Sequence, residues 1–315
     1  MILLLVLTSK SLGAVLNNLN TQVGIITLMY HRFEENKYPS TNIKNEIFSE
    51  HLKEINNLGI EFIKYKKFEE IIKIDIDKNY LLLTIDDAFE SFYLNAWPVL
   101  KNKKIPFILF VSTREIGKHG YMTWDQIKEV DASNLVTIGN HSHSHEYLVD
   151  WKDDEIKHDL ENSIKIFKKK LGYSPTIFSY PFGEYSSNLK KIVKNLGFKY
   201  AFGQHSGVID QTKDFLELPR FPINEKYGDI KRFNNLIKYL PLQYKSIKPK
   251  NKFLTDENNP PEMVVEFFKE QENIENINCF SNEGNKWRNS RINITNNILK
   301  VYFYEKFNSS KWISV

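Results

Sequence analysis

Short apolar runs alternate with segments of helical periodicity over most of the chain, and this alternation limits the folds that the chain can adopt. The apolar runs are bounded by turn residues and are only a few residues long, which is typical of buried strands. The segments between them repeat apolar side chains every three or four residues, as an amphipathic helix does. In one of them, residues 45–58, the apolar positions share one face, and Gly59 follows as a helix-stop signal.

Seven runs are predicted strands: 24–30, 60–63, 80–85, 105–111, 135–138, 176–180 and 199–202. The helices predicted between them are 45–58, 67–74, 90–100, 124–130, 153–171 and 187–196. Strands that alternate with helices form parallel βα units. Seven such units predict an α/β fold that closes into a barrel or near-barrel, with an open doubly wound sheet as the alternative.

The two ends of the chain differ from this pattern. Residues 2–7 are apolar but far fewer than the roughly 20 that span a bilayer, and small residues follow at Ser11, Gly13 and Ala14. We interpret 1–20 as a signal peptide or N-terminal extension, with a buried first strand or helix as the alternative. Export to the periplasm or envelope is therefore expected, although a cytoplasmic location stays open. No other segment is apolar enough to cross a membrane.

Residues 21–244 form the predicted main domain, and the C-terminal part lacks its alternation of strands and helices. Residues 245–252 contain lysines and a proline and are predicted to be a linker. Strand-like pieces follow at 263–268 and 298–304, and 311–315 ends the chain as another. Residues 245–315 are thus predicted to be a linker and a small β-rich appendage.

Composition excludes several kinds of site. The net charge of +4 is spread over short mixed runs, so no nucleic-acid-binding face is expected. A single cysteine, Cys279, cannot form an internal disulfide, a Cys-rich zinc site or a CxxC redox pair. Any metal must therefore be bound by histidines and carboxylates.

Two acids, Asp86 and Asp87, end the apolar strand 80–85. Adjacent side chains at a strand end diverge, so one carboxylate can face a metal while its neighbour faces a water bound to it. The alternative is that one of them caps the helix that begins near Glu90.

Histidines follow another predicted strand, 135–138, at His141, His143 and His145. On one turn of helix, a spacing of four brings His141 and His145 to the same side, while His143 points elsewhere. The alternative is a polar loop with incidental histidines.

Together, the two clusters predict a site of two histidines and one carboxylate, made by Asp87, His141 and His145, with the open positions that a catalytic divalent ion needs. Asp86 is then free to act as a base.

These residues resemble known motifs. The sequences TIDDA (84–88), HSHSH (141–145) and YPFG (180–183), with LMYHR (28–32), resemble those of the polysaccharide deacetylase family, also called the NodB-homology family or carbohydrate esterase family 4. The resemblance spans about 25–222 and is nearest to the poly-N-acetylglucosamine deacetylase-like branch. Each motif alone is weak, but their order and spacing make the match specific.

The resemblance implies a distorted (β/α)7 barrel and a divalent metal, most often Zn²⁺. It implies hydrolysis of acetyl groups on a polysaccharide or oligosaccharide, in this branch N-acetyl groups of an amino-sugar polymer. The implied roles are Asp86 as base, Asp87, His141 and His145 as ligands, and a backbone N–H of the Pro181, Phe182 and Gly183 loop as oxyanion donor.

Two positions depart from the family pattern. Ala88 replaces a glycine, which is tolerated if the backbone there avoids positive φ. Ser179 replaces an arginine, so the partner that orients Asp86 must lie elsewhere. Arg220 is the candidate, with a surface or structural arginine as the alternative.

The late Leu-x-His motif that supplies a general acid in relatives is not evident. His31 is the favoured acid and His205 the other candidate, while core packing is the alternative for each. Tyr30 is assigned to the substrate groove and Trp124 is a further candidate, although core packing is the safer interpretation of both.

Two other functions stay open. The protein could bind glycans without hydrolysing them, through the appendage, or it could be a related barrel metallohydrolase that cleaves another amide or ester. Acetate release from an acetylated glycan separates these alternatives.

Overall fold

The computed structural model describes residues 23–268, 274–284 and 286–307. The predicted leader, 1–20, and the predicted last strand, 311–315, lie outside these residues. Strands are β1 (Ile25–Tyr30), β2 (Arg32–Phe33), β3 (Asn42–Ile43), β4 (Glu61–Phe62), β5 (Tyr80–Ile85), β6 (Phe107–Val111), β7 (Val136–Asn140), β8 (Ile177–Ser179), β9 (Tyr200–Phe202), β10 (Val208–Ile209), β11 (Phe221–Pro222), β12 (Ser246–Lys248), β13 (Met263–Glu266), β14 (Phe280–Glu283), β15 (Lys286–Asn289), β16 (Arg291–Thr295) and β17 (Ile298–Tyr302). The α-helices are α1 (Asn45–Asn57), α2 (Tyr65–Ile71), α3 (Trp97–Lys103), α4 (Trp124–Asp131), α5 (Asp153–Leu171), α6 (Ser187–Asn195) and α7 (Ile230–Leu236).

The main sheet has the order β10-β1-β5-β6-β7-β8-β9, with β4 on β5 and β11 on β1. All pairs from β1 through β9 are parallel, and only β10 runs antiparallel to its neighbour. Neighbours follow chain order without the reversal that a doubly wound sheet requires. The open doubly wound alternative is therefore wrong.

The segment after β10 links the two ends of this sheet. Leu218 forms a parallel bridge with Phe202 of β9, and β11 pairs with β1 through Leu28 and Phe221. Residues 218–222 thus lie between the last and first parallel strands, as the closing strand of a barrel does. Arg220 lies within this closing segment.

Both faces of the sheet are buried, because successive side chains of its strands point to opposite sides. On β5, Leu81, Leu83 and Ile85 pack with the apolar faces of the helices. On the other face, Leu82 packs with Phe110 and other side chains inside the curve of the sheet. Near-continuous apolar strands such as 80–85 are the sequence signal of this arrangement.

The predicted helices are all present, with shifted ends. The predicted helix 90–100 contains a π-helical turn, Phe92–Ala96, before α3 begins at Trp97. Helix α7 was not predicted. No helix in the described part of the chain combines the length and apolar character that a membrane span requires.

The C-terminal residues form an antiparallel sheet in the order β12-β13-β17-β16, beside a β14–β15 hairpin. Val265, Phe267, Leu299 and Val301 are its buried core. The predicted linker 245–252 contains β12, so it is not irregular throughout. Its alternation of small, apolar and basic side chains carries little strand signal, and the pairing of β12 with β13 decides its conformation.

Candidate metal centre

The turn after β5 separates the two predicted acids. Asp86 is fully buried and Asp87 nearly so. Asp87 and Ala88 have φ of 71° and 54°, and the Ala88 carbonyl accepts a hydrogen bond from the Met122 amide. The condition under which Ala88 would be tolerated, a negative φ, is therefore not met. A non-glycine residue in this left-handed region lowers the stability of the fold by about 1 kcal/mol, and the turn contains alanine despite this strain.

The histidines follow β7 in a loop, so the helical turn expected for residues 141–145 is wrong. Ser142 and His145 have φ of 69° and 55°, which no helix contains. The loop nevertheless brings the rings of His141 and His145 together, with centroids 4.8 Å apart. His143 turns away, with its Nδ1 2.8 Å from Thr113 Oγ1.

Three ligand atoms, one each from Asp87, His141 and His145, lie within 4.8 Å of one another. Asp87 Oδ1 is 3.5 Å from His141 Nε2 and 3.1 Å from His145 Nε2. Neither approach is aligned as a hydrogen bond, and among the described residues Asp87 Oδ1 and His141 Nε2 have no hydrogen-bond partner although both are buried. Buried polar atoms without partners are costly, which indicates a ligand between them.

These residues fit a divalent metal. Ligand atoms about 2.0–2.2 Å from Zn²⁺ lie roughly 3–3.5 Å from one another in a tetrahedral site, and the distances from Asp87 Oδ1 to the Nε2 atoms of His141 and His145 fall in this range. His141 Nδ1 lies 2.7 Å from the Ser179 carbonyl oxygen, so Nδ1–H donates and Nε2 presents its lone pair. Burial lowers the pKa of His141 to about 4, which keeps the ring in the neutral form that binds metals.

Asp87 and His145 influence each other. Burial would raise the pKa of Asp87 and lower that of His145, but the attraction between carboxylate and imidazole reverses both shifts. Asp87 is therefore ionised at neutral pH, as a metal ligand must be.

Arg220 is the partner of Asp86. Its Nη1 and Nη2 donate to Asp86 Oδ1 and Oδ2 over 2.7 and 2.8 Å, and its Nε donates to the Gly203 carbonyl over 2.9 Å. Both side chains are fully buried. Burial favours neutral Asp86, but the Arg220 guanidinium outweighs it and holds the pKa of Asp86 below its ordinary value. Of the two roles left open for Arg220, the geometry is that of a residue that orients Asp86.

Ser179 leaves space for Arg220 to reach Asp86 from the closing segment. Its hydroxyl lies 2.8 Å from Arg220 Nη2 and 3.3 Å from Asp86 Oδ2. A small side chain on β8 thus leaves room for a guanidinium that enters from the closing segment.

The two acid candidates occupy different places. His31 follows β1, is half-buried, and lies where a positive charge on its ring would lower the pKa of both Asp86 and Asp87. His205 lines a separate cavity of about 160 Å³ with Tyr185 and Lys252. Burial, followed by the neighbouring lysines and Arg220, lowers the pKa of His205 to about 3.

Tyr30 does not line the groove, and this prediction is wrong. Its ring is 1% exposed, and its hydroxyl contacts His51 Nδ1 at 2.9 Å. The apolar body of the ring packs with Phe33 and Phe48, which outweighs exposure at the strand end. Trp124 likewise packs against Phe167 at the edge of the core.

The loop Pro181–Gly183 forms a short turn after β8. Phe182 has φ of 58°, and its ring lies 4.9 Å from the His145 ring and stacks on Tyr147 at 3.8 Å. Gly183 has φ of 75°, and a Cβ there would lie 2.4 Å from Gln204 Cβ, so only glycine fits. No sequence signal pointed to Tyr147, because its stacking depends on the loop conformation.

Comparisons with known proteins agree with this geometry. Residues 73–201 match the model of the polysaccharide deacetylase family. Poly-beta-1,6-N-acetyl-D-glucosamine N-deacetylase of Staphylococcus aureus (strain NCTC 8325 / PS 47) is 26% identical over 191 residues, 56% of this chain and 62% of that enzyme. YxkH of Bacillus subtilis (strain 168) is 24% identical over 199 residues, 62% of this chain and 70% of YxkH. The chain thus spans less than two thirds of the staphylococcal enzyme.

Solved structures agree as well. IcaB from Ammonifex degensii superposes with a TM-score of 0.61 and 25% identity over 69% of this chain and 98% of IcaB. The Streptococcus pyogenes deacetylase PplD superposes with a TM-score of 0.63 and 21% identity over 70% of this chain and 100% of PplD. Both confirm the distorted (β/α)7 barrel. By its motifs, its fold and the match over residues 73–201, the chain contains a polysaccharide deacetylase domain, and it is similar to proteins of the poly-N-acetylglucosamine deacetylase-like branch of these hydrolases.

Proposed function

We propose that the protein is a metal-dependent deacetylase that removes N-acetyl groups from a poly-N-acetylglucosamine-like polymer. The observation that carries the proposal is the convergence of Asp87, His141 and His145 beside a carboxylate, Asp86, that does not belong to the set. A protein that only binds glycans has no need of a buried, ionised carboxylate at such a place. The name of the staphylococcal relative supports the choice of substrate.

A divalent ion held by Asp87, His141 and His145, in our proposal Zn²⁺, would supply Lewis-acid chemistry that acidifies water and polarises the acetyl carbonyl. Asp86, kept ionised by Arg220, accepts the proton of the attacking water. Its Oδ2 lies 3.9 Å from His141 Nε2, so it is close to the ligands without being one of them.

The remaining groups act on the acetyl group and the amine. The Phe182 backbone N–H donates to the oxygen that becomes negative as the carbonyl is attacked. His31 protonates the sugar nitrogen as the carbon–nitrogen bond breaks, which yields acetate and a free amine. His31 is supported over His205 because a positive charge on its ring would act on both acids, whereas the ring of His205 lines another cavity.

The location proposed for this reaction is the cell envelope or periplasm, where the predicted signal in 1–20 would direct the protein. An alternative substrate with O-acetyl groups would use the same residues, and the assay below separates the two.

We expect the purified protein to release acetate from β-1,6-linked N-acetylglucosamine oligomers, to lose this activity when a chelator removes metal, and to regain it with zinc. Chitin oligomers, peptidoglycan fragments and O-acetylated xylan serve as matched substrates in the same acetate assay. Preference for acetylated xylan would contradict the N-acetyl assignment. Acetate release that persists at full rate after metal removal would contradict metal dependence.

A further inference from the structure

The loop that carries the two histidines is held in a conformation that its own residues disfavour. Ser142 and His145 are both left-handed without being glycine. Such residues are strained and persist only where surrounding contacts determine their conformation. The contacts that hold this loop therefore decide where the ligand rings lie.

Residues 112–114 supply part of these contacts, because the Thr113 and Arg114 amides donate to the Ser142 and His143 carbonyls and the Ser112 hydroxyl donates to the His141 carbonyl. Helix α5 supplies the others through two side chains one turn apart. Asp159 Oδ1 accepts from the His143 amide over 2.9 Å, and Asp159 Oδ2 accepts from the Ser144 amide over 3.0 Å. Ser163 Oγ accepts from Asn140 Nδ2 over 2.7 Å. The loop is thus attached to α5 on both sides of Ser142.

The contact made by Asp159 is specific to a carboxylate. Its side chain is 5% exposed, and no ion pair within the described ranges includes it. Two backbone N–H groups therefore stabilise a buried negative charge, one at each oxygen. An amide in the same place can accept only one of these bonds and turns its own NH₂ towards the other donor.

We propose that Asp159 is the positioning residue of the metal centre. By fixing the amides of His143 and Ser144, it sets the separation of His141 and His145, which flank them. Asp159 has no contact with the ligand atoms of the proposed ion. This role rests on the proposed metal site and adds to it a residue outside the family motifs quoted above.

The sequence contains a faint signal for this role. Asp159 and Ser163 stand between Ile156, Leu160 and Phe167 on the buried face of α5, where polar residues are costly unless bonded. That pattern marks the positions as unusual without showing what they contact.

The test compares Asp159→Asn with Asp210→Asn. Asp210 is also buried and also accepts a backbone amide, that of Thr212, and it pairs with Lys213 instead of any residue of the histidine loop. Zinc affinity is measured by competition with a chelator, and thermal unfolding of the metal-free proteins is measured in parallel. We expect zinc affinity to fall about 10- to 100-fold in Asp159→Asn and to stay within about twofold in Asp210→Asn.

Wild-type affinity in Asp159→Asn, or an equal loss in Asp210→Asn, would overturn the positioning role alone. Absence of zinc binding by the wild type would overturn the proposed function and this role with it. Hydrogen exchange of the wild-type protein provides a measurement that needs no variant. Slow exchange of the His143 and Ser144 amides supports the contact, and exchange at the rate of an exposed loop contradicts it.

Discussion

The Asp86→Asn protein is expected to bind zinc like the wild type and to release acetate about 100- to 10,000-fold more slowly, the range that loss of a general base produces. Both carboxylate oxygens of Asp86 accept hydrogen bonds from Arg220, and Asp86 is not one of the proposed metal ligands. Asparagine has nearly the same shape but cannot accept the proton of the attacking water. Zinc content and acetate release, measured on the same preparation, test both halves of this expectation.

His141→Ala is the matched control, because it removes a ligand and is expected to lose zinc and activity together. Undiminished acetate release by Asp86→Asn would reject Asp86 as the base. Loss of zinc from Asp86→Asn would instead make Asp86 a ligand, and the separation of roles between Asp86 and Asp87 would fail.

Arg220→Met is expected to lower the free energy of unfolding by about 3–5 kcal/mol, the effect of leaving a buried charge without its partner. Asp86 is fully buried, so its ionised form depends on this guanidinium. Acetate release should be lost at the same time, because burial then favours the protonated acid, which is no base. Denaturant unfolding and the acetate assay measure the two effects.

The double variant Asp86→Asn with Arg220→Met is the informative control. Because it removes both charges, it should be more stable than the sum of the two single effects predicts, by roughly 1–3 kcal/mol. Additive losses would show that Arg220 stabilises the closing segment without acting through Asp86. Arg220→Lys, which keeps the charge but loses the two-pronged contact, should retain stability better than activity.

The strands and the acids could be predicted from the sequence because both depend on local order. A strand buried on both faces is a nearly continuous apolar run, as in 80–85, and residues that follow parallel strands lie at one end of the barrel. Asp86, Asp87, His141 and His145 were located in this way, and the structure brings the last three together.

Other features depend on contacts between distant residues. Arg220 reaches Asp86 across 134 residues. The serine at position 179 makes Arg220 a candidate partner, but only the fold shows the pair. The spacing of His141 and His145 suits a helical turn and a loop equally well, and hydrogen bonds to α5 and to residues 112–114 decide for the loop. Tyr30 could have faced the groove, but a partner on α1, His51, satisfies its hydroxyl in the core.

Anomalous diffraction at the zinc absorption edge, on crystals of the zinc-loaded protein, tests the account most directly. The account predicts one strong peak about 2.0–2.2 Å from Asp87 Oδ1 and from the Nε2 atoms of His141 and His145, with Asp86 still paired to Arg220. A peak elsewhere, no peak, or Asp86 among the ligands would contradict it.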